Sequence, residues 1–486
     1  MATATFGGDE VSALVLDVGH SYTKAGYAGD DTPAAYIPSV LGHLPSSDST
    51  NGAAAADGST PMDVDQPNGD NNNGRAANNG AGRRKRPGQW FAGEQRALSW
   101  RAGMELRRPI VDGNVADWDA FEELLDHTFL SHLRTDPTEH PLLMVEPAWN
   151  PKASRERMTE IAFEQFDFPA FFLAKAPVLS AFAAGRGSSL VIECGGGSTS
   201  VSPVHEGYVL QKAATSQHIA GEFVSHQAHL TFDFNRIDIA PRYLIKGKRP
   251  VPLAMPASVD LRTERLAGTS QGYHDYAMLR EFDDFKHSTM VCPTSLLNET
   301  QPASPAPPET RAHEFTCGYH NQFTTERYRL AEALFQPAKY AIRAEFIPPR
   351  APPADGSPPT VLHVPSGTVF PGPVSANPIL SIPDLIRKAM AAVDADVRPS
   401  LLANVVLAGG TATQVPGFSE RIVHELHQMY PGAKIKVVSG NTLPERKFSA
   451  WLGGSVLASL GTFHQMWISK KEYEEHGKSI VERKCM

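Results

Sequence analysis

Pro444–Cys485 reads PERKFSAWLGGSVLASLGTFHQMWISKKEYEEHGKSIVERKC, and no other stretch of the chain says as much about the fold. Its apolar residues gather between Trp451 and Trp467. Most of them are expected to pack into a core, with an exposed minority left at the surface. Cys485 stands second from the end, so no prenylation box is expected.

Outward from that stretch, the chain runs to 486 residues, beyond the size at which one hydrophobic core keeps growing, so two lobes or more are expected. The net charge of −8 argues against broad electrostatic binding to nucleic acid. Cys194, Cys292, Cys317 and Cys485 lie far apart and form no CxxC, so neither a disulfide framework nor a zinc site is indicated, and a reducing compartment fits. No basic-then-apolar segment precedes Val11, and no apolar run approaches the length of a bilayer span, so neither secretion nor membrane insertion is expected.

Val11–Asp17 is a short aliphatic run ending in an acid and Gly19, the pattern of a buried strand entering a tight turn, and Tyr22–Tyr27 gives a second strand. Strands are also predicted at Leu190–Glu193, Val201–Val204, Tyr208–Leu210 and Asn404–Ala408, and helices at Trp118–Leu133, Pro151–Phe166 and Ile379–Val393. Residues 44–88 hold almost no large apolar side chain and are expected to be a disordered insertion. The Pro- and Gly-rich residues 343–378 read as a second insert, while 240–310 carries no clear period.

Three glycine turns follow strands: Gly19 after Asp17, Gly195-Gly196-Gly197 after Glu193, and Gly409-Gly410 before Thr411. Main chain free of Cβ atoms can bring its N–H groups against a phosphate, and an acid at a strand end can hold a divalent cation through water. The repetition of strand, acid and glycine turn suggests two related lobes facing each other. The same glycines also suit hairpins that need them only to fold, and that reading stays open.

The C-terminal stretch resembles the last part of actin almost residue for residue. KAGYAGDDTP from Lys24, EHPLLMVEPAWNPKASRERMTEIAFE from Glu139, EGYVL from Glu206 and EALFQP from Glu332 match as well. The likeness covers about residues 10–43, 108–222, 324–342 and 379–486. The chain is therefore similar to the actin superfamily, which implies an α/β, actin-like two-lobed fold of four subdomains around a nucleotide cleft holding ATP with Mg2+ or Ca2+. By that likeness 10–38, 108–182 and 448–486 form subdomain 1, 39–107 subdomain 2, 183–219 and 343–447 subdomain 3, and 220–342 subdomain 4. FGGDEVSALVLDVG from Phe6 and DGSTPMDVD from Asp57 resemble the nuclear actin-related protein 4 group more than actin itself. Members of that group serve chromatin-remodelling and histone-acetyltransferase complexes, hence transcription regulation and DNA repair. The likeness implies a nuclear location. It implies as partners actin, a helicase-SANT-associated helix of a large subunit, and histones or nucleosomes, with no membrane and no self-polymerisation.

The nucleotide residues implied are Asp17, Gly19, His20, Ser21, Tyr22 and Lys24 of the first turn, with Glu193, Gly195, Gly196, Gly197 and Ser198 of the second. Gly221, Glu222, Gly409, Gly410, Thr411 and Lys447 complete the set, and Asp17 and Glu193 would hold the metal through water. Several positions depart from the family. His20-Ser21 stands where actins carry Ser-Gly, and Glu193-Cys194-Gly195-Gly196-Gly197 replaces Asp-Ser-Gly-Asp-Gly. The glutamine that positions the attacking water aligns with Ala176, before Pro177, and the histidine that helps order it aligns with Ser200. The adenine-side Lys-Glu pair falls near Asp283-Asp284. Hydrolysis of a phosphoanhydride depends mainly on positioning and electrostatics, so these departures imply a pseudo-ATPase with no catalytic residue and slow or absent turnover.

The two small subdomains at one end of the molecule are rewritten, whereas the opposite end, drawing on Phe182–Gly187, Glu206–Tyr208 and Trp451–Tyr473, is kept. A filament needs both faces of a heterologous contact, so one-to-one pairing is expected. Arg83-Arg84-Lys85-Arg86 reads as a nuclear import signal, with solvated charge as the plainer alternative. His424 and His427 lack metalloprotease spacing, and Asn298-Glu299-Thr300 matches a glycosylation acceptor that has no meaning without secretion. The rival functions are an actin-like ATPase that polymerises or cycles nucleotide and, more distantly, a sugar or acyl kinase. Ala176, Ser200 and the rewritten subdomains speak against the first, and the extent of the matches against the second.

Overall fold

The computed structural model describes residues 12–46, 86–297, 309–342 and 379–486. Two six-stranded sheets organise the chain. The first runs in the order Ile468–Ser469, Ala170–Lys175, Leu142–Glu146, Leu14–Val18, Tyr22–Tyr27 and Ala35–Pro38. The second runs Tyr208–Val209, Thr199–His205, Ser189–Cys194, Val405–Ala408 and Val437–Val438, with Thr215–Gln217 added on Thr199–His205. Each sheet is built on an antiparallel hairpin whose first strand also pairs in parallel with a later strand. Leu14–Val18 takes Leu142–Glu146, and Ser189–Cys194 takes Val405–Ala408. The repeat legible in the sequence is thus a repeat of topology.

Both hairpins open on unbroken aliphatic runs because helices cover both faces of a mixed or parallel sheet. Leu14, Val15, Leu16, Leu190, Val191 and Ile192 are wholly buried. The core of the first lobe joins Leu14–Leu16, Phe121, Phe163 and Trp451; that of the second joins Leu190, Phe232, Phe282, Ile386 and Ile422. Trp451 donates its indole N–H to the Val15 carbonyl at 3.0 Å. The adjoining glycines let the Ser449–Ala458 helix close on the Ala176–Ala183 helix: a Cβ on Gly453 would sit 2.0 Å from the Leu179 carbonyl oxygen. That contact explains the Gly-Gly in the C-terminal stretch.

Most sequence expectations hold with small shifts of boundary. The first helix is Trp118–Asp126, capped by Asp117 and continued by a π-helical stretch, His127–Leu133. The second is Lys152–Glu160, continued through Ile161–Gln165. Ile382–Ala391 starts on a capping box of Ser381 and Asp384. The stretch without a clear period holds a ribbon, Ile245–Arg249 with Ser258–Leu261, and a 19-residue helix, Gln271–Thr289. All four cysteines are free and buried, and among the described residues no helix is long and apolar enough to cross a membrane.

Two readings need correction. The insertion expected over 44–88 is ordered at both ends, because Leu44 closes the strand Leu41–Leu44, which pairs with Gln89–Phe91 and Glu105–Arg107. Arg86, read as the last residue of a basic nuclear import signal, is buried against the Trp118–Asp126 helix instead. It bonds Glu123 at 2.9 Å and Asp126 at 2.8 Å, with Glu122 at 3.7 Å. Three carboxylates attract the guanidinium more strongly than water holds it there. Arg83, Arg84 and Lys85, the rest of the first insertion, the acceptor-like Asn298-Glu299-Thr300 and the insert 343–378 lie outside the described residues.

Candidate functional site

The three glycine turns converge on one cavity of about 680 Å3 between the two sheets. All the residues named above for nucleotide and metal line it, as do Ala176, Ser200, Asp283 and Asp284. On its floor the hairpin register sets Asp17 opposite Lys24, and the Lys24 ammonium donates to the Asp17 carboxylate at 2.7 Å. Glu193 stands one residue before the end of the matching strand and accepts from the Ser180 hydroxyl at 3.1 Å. Burial, with the charge of Asp17 adding to it, lifts the Glu193 carboxyl to about 7. A divalent cation between these two acids would relieve that penalty, so the donor set fits a cation held through water beside phosphate.

The turns brace one another through main-chain contacts. The Gly221 and Glu222 amides donate to the Gly195 and Gly196 carbonyls at 3.0 and 2.7 Å, and the Thr411 hydroxyl donates to Gly195 at 2.8 Å. The third turn rests on the second at Gly409, where φ is +87° and a Cβ would lie 2.5 Å from the Cys194 carbonyl oxygen. Gly409→Ala is therefore expected to destabilise the protein by about 3 kcal/mol, read as a lower urea midpoint at unchanged slope.

The first and second turns touch directly. His20 covers Gly197 and Ser21 covers Gly196 so closely that a Cβ on either glycine would fall within 2.6 Å of those side chains. The added bulk read from the sequence thus occupies the space over the second turn's main chain. His20 Nε2 also meets the Glu222 carboxylate, and Arg108 donates to Glu222 at 2.8 Å and lies 3.0 Å from His20 Nε2. Burial alone would raise the Glu222 carboxyl, but the His20 hydrogen bond and the Arg108 charge outweigh it and bring it down to about 2. A depressed carboxylate adds stability that is full above its ordinary value of 4.5 and fades as pH falls toward 2. Glu222→Gln should accordingly flatten the loss of stability between those pH values, measured by denaturant midpoints.

On the strand beside Lys24, Tyr36 stacks on Tyr22 with ring centres 4.4 Å apart, and the Lys447 ammonium lies 4.0 Å over the Tyr36 ring. Burial and the charge of Lys24 lower the Lys447 pKa. The Gln271–Thr289 helix supplies a lysine–acid pair of its own, Lys286 with Asp283. Lys286 also donates to the Gly221 carbonyl at 3.0 Å and the Ser225 hydroxyl at 3.1 Å. Burial would raise Asp283, but His287 and Lys286 together hold it well below the usual carboxylate range. Sequence reasoning missed Arg108, Tyr36, Tyr276 and Lys286, all of which line the cavity. Lys286 stands three residues beyond Asp283, and that spacing was its only signal.

A flat aromatic end, a lysine–aspartate floor and two facing acids suit a nucleotide with a cation, and the volume falls within the range of ligand pockets. Ala176 and Ser200 also line the cavity, with a methyl group and a short hydroxyl.

Comparison with known proteins agrees with this architecture. The family model described as Actin matches residues 8–486. Actin-related protein 4 of Mycosarcoma maydis is 36% identical over 544 aligned residues, covering 99% of each chain. Actin-related protein 4 of Arabidopsis thaliana is 36% identical, covering 99% of this chain and all of the relative, and that of Schizosaccharomyces pombe is 33% identical over the whole of both. The duplicated hairpin sheets, the three convergent turns and these full-length matches establish that the chain belongs to the actin family.

Proposed function

We propose that the protein is a non-polymerising, actin-related scaffold subunit of nuclear chromatin-remodelling and histone-acetyltransferase complexes. It pairs with actin on a helicase-SANT-associated helix and holds ATP and Mg2+ or Ca2+ with little or no hydrolysis. The observation that carries this reading is the split state of the cleft. The Asp17–Lys24 pair, Glu193 and the Tyr22–Tyr36 stack line it, while Ala176 and Ser200 stand where the likeness to actins sets the groups that orient water. The His20–Glu222–Arg108 cluster fills space over the second turn as well.

The surface supports the scaffold half of the proposal. Phe182, Val456, Leu460 and Met466 are each about 40% exposed or more, and Phe182 and Val456 sit on the packed helices Ala176–Ala183 and Ser449–Ala458. Val456, Leu460 and Met466 are the exposed minority of the apolar residues between Trp451 and Trp467, and an apolar helix face would cover them together with Phe182. Nuclear and cytosolic extracts give the test, with an affinity tag placed between residues 47 and 82 so that the C-terminal stretch stays free. Actin recovered with remodeller or acetyltransferase subunits is the expected result. Recovery of the protein with only its own copies or cytoskeletal factors would overturn the reading.

A further inference from the structure

Three neighbouring strands of the first sheet carry a device that the glycine turns do not explain. Register sets Asp17 opposite Lys24 and Lys24 opposite Tyr36, so the three side chains stand on one face of the sheet. Tyr22, two residues before Lys24, shares that face. Its ring stacks on Tyr36 with centres 4.4 Å and planes 12° apart. Phe448 meets Tyr36 edge-on at 5.6 Å, and the Lys447 ammonium lies 4.0 Å over the same ring. The result is a column of cation, ring and ring, in which Lys447 holds Tyr36 and Tyr36 holds Tyr22. Tyr22 ends the column. Among the described residues no second ring stacks on it and no cation lies over it, and both tyrosines line the cavity.

Lys447 pairs with no carboxylate among the described residues, and burial with the charge of Lys24 lowers its pKa. The column therefore presents an aromatic face beside a positive charge that no acid neutralises, a match for a ligand with a flat ring and an anionic part. Two residues along a strand span about 7 Å, a separation that a nucleotide bridges between its phosphates and its base. We propose that Tyr22 supplies the stacking face for the nucleobase, backed by Tyr36 and Lys447, while Asp17 and Lys24 stand at the phosphates. This rests on the proposed nucleotide-holding function and adds a base preference to it. Stacking reads the face of a ring and not its edge, so purines should bind alike and pyrimidines, with the smaller ring, more weakly.

The triphosphate of 2-aminopurine riboside, whose emission falls when its ring stacks, tests it on the full chain with Mg2+, alongside competition by ATP, GTP and UTP. Binding to the wild type should quench the probe severalfold, with ATP and GTP competing alike and UTP about tenfold more weakly. Tyr22→Leu keeps an apolar side chain on the strand and removes the ring. It should bind the probe about tenfold more weakly, leave the bound probe bright and narrow the gap between purines and pyrimidines. A bound probe that stays bright in the wild type would overturn the platform, and so would unchanged affinity and quenching in Tyr22→Leu. If the urea midpoint shows that Tyr22→Leu does not fold, the wild-type quench and the purine-to-pyrimidine ratio decide alone. Failure of the wild type to bind any triphosphate would overturn nucleotide holding and the platform with it, whereas tight binding of a bright probe would overturn the platform only.

Discussion

Arg421→Ala is expected to cost about 3–5 kcal/mol of stability, the largest loss of any single substitution considered for this chain. Arg421 and Glu332 are wholly buried, and the guanidinium grips the carboxylate through two bonds of 2.7 Å. The same side chain bonds Glu425 at 2.8 Å and the carbonyls of Pro293 and Ser295 at 3.2 and 3.1 Å, with the Phe335 ring 4.5 Å away. It therefore ties the helices Phe418–Met429 and Glu326–Phe335 to residues 293–295. Alanine would strand the Glu332 charge in the core and free that stretch. Replacing both Arg421 and Glu332 with leucine should cost less than the single change, because no unpaired charge remains. Thermal and urea unfolding decide it: a loss below about 1 kcal/mol for Arg421→Ala would show that the pair is dispensable.

Joint restoration of the two water-orienting groups should change chemistry more than any other variant. Ala176→Gln alone is expected to leave hydrolysis within about threefold of the wild type, since Ser200 and Gly196 remain on the second turn and His20 still covers Gly197. Ala176→Gln with Ser200→His should raise single-turnover hydrolysis about 100-fold, the scale on which misplacement of a reacting group is felt. Vigorous turnover with Ala176→Gln alone would mean that one group suffices, and the reading of a doubly disabled cleft would fall.

The sequence disclosed the fold where covalent pattern and burial agree. Leu14–Leu16 and Leu190–Ile192 are aliphatic because both faces of their strands are covered, and the acids and glycines at their ends mark the turns. The long helix of the second lobe was opaque for the opposite reason. The Gln271–Thr289 helix buries Glu281 and Lys286 beside Tyr273 and Phe282, so charges interrupt the apolar spacing that marks a helix face. Arg421, Glu332 and Arg86 were equally hidden, because a charged side chain looks solvated until its partners, far off in sequence, are known. In the cleft, local motifs gave the turns. The Arg108–Glu222–His20 cluster joins residues 88 and 202 positions apart, and no local pattern announces it.

The fate of the bound nucleotide tests the central proposal most directly. The purified full chain would be loaded with stoichiometric labelled ATP and Mg2+, freed of unbound nucleotide, held for many hours and then denatured so that the nucleotide it carries can be identified. Retained, intact ATP is the result the proposal predicts, with the Asp17–Lys24 pair and Glu193 holding the metal nucleotide and Ala176 and Ser200 standing in place of the groups proposed to orient water. Recovery of ADP with released phosphate would contradict it and restore a cycling ATPase.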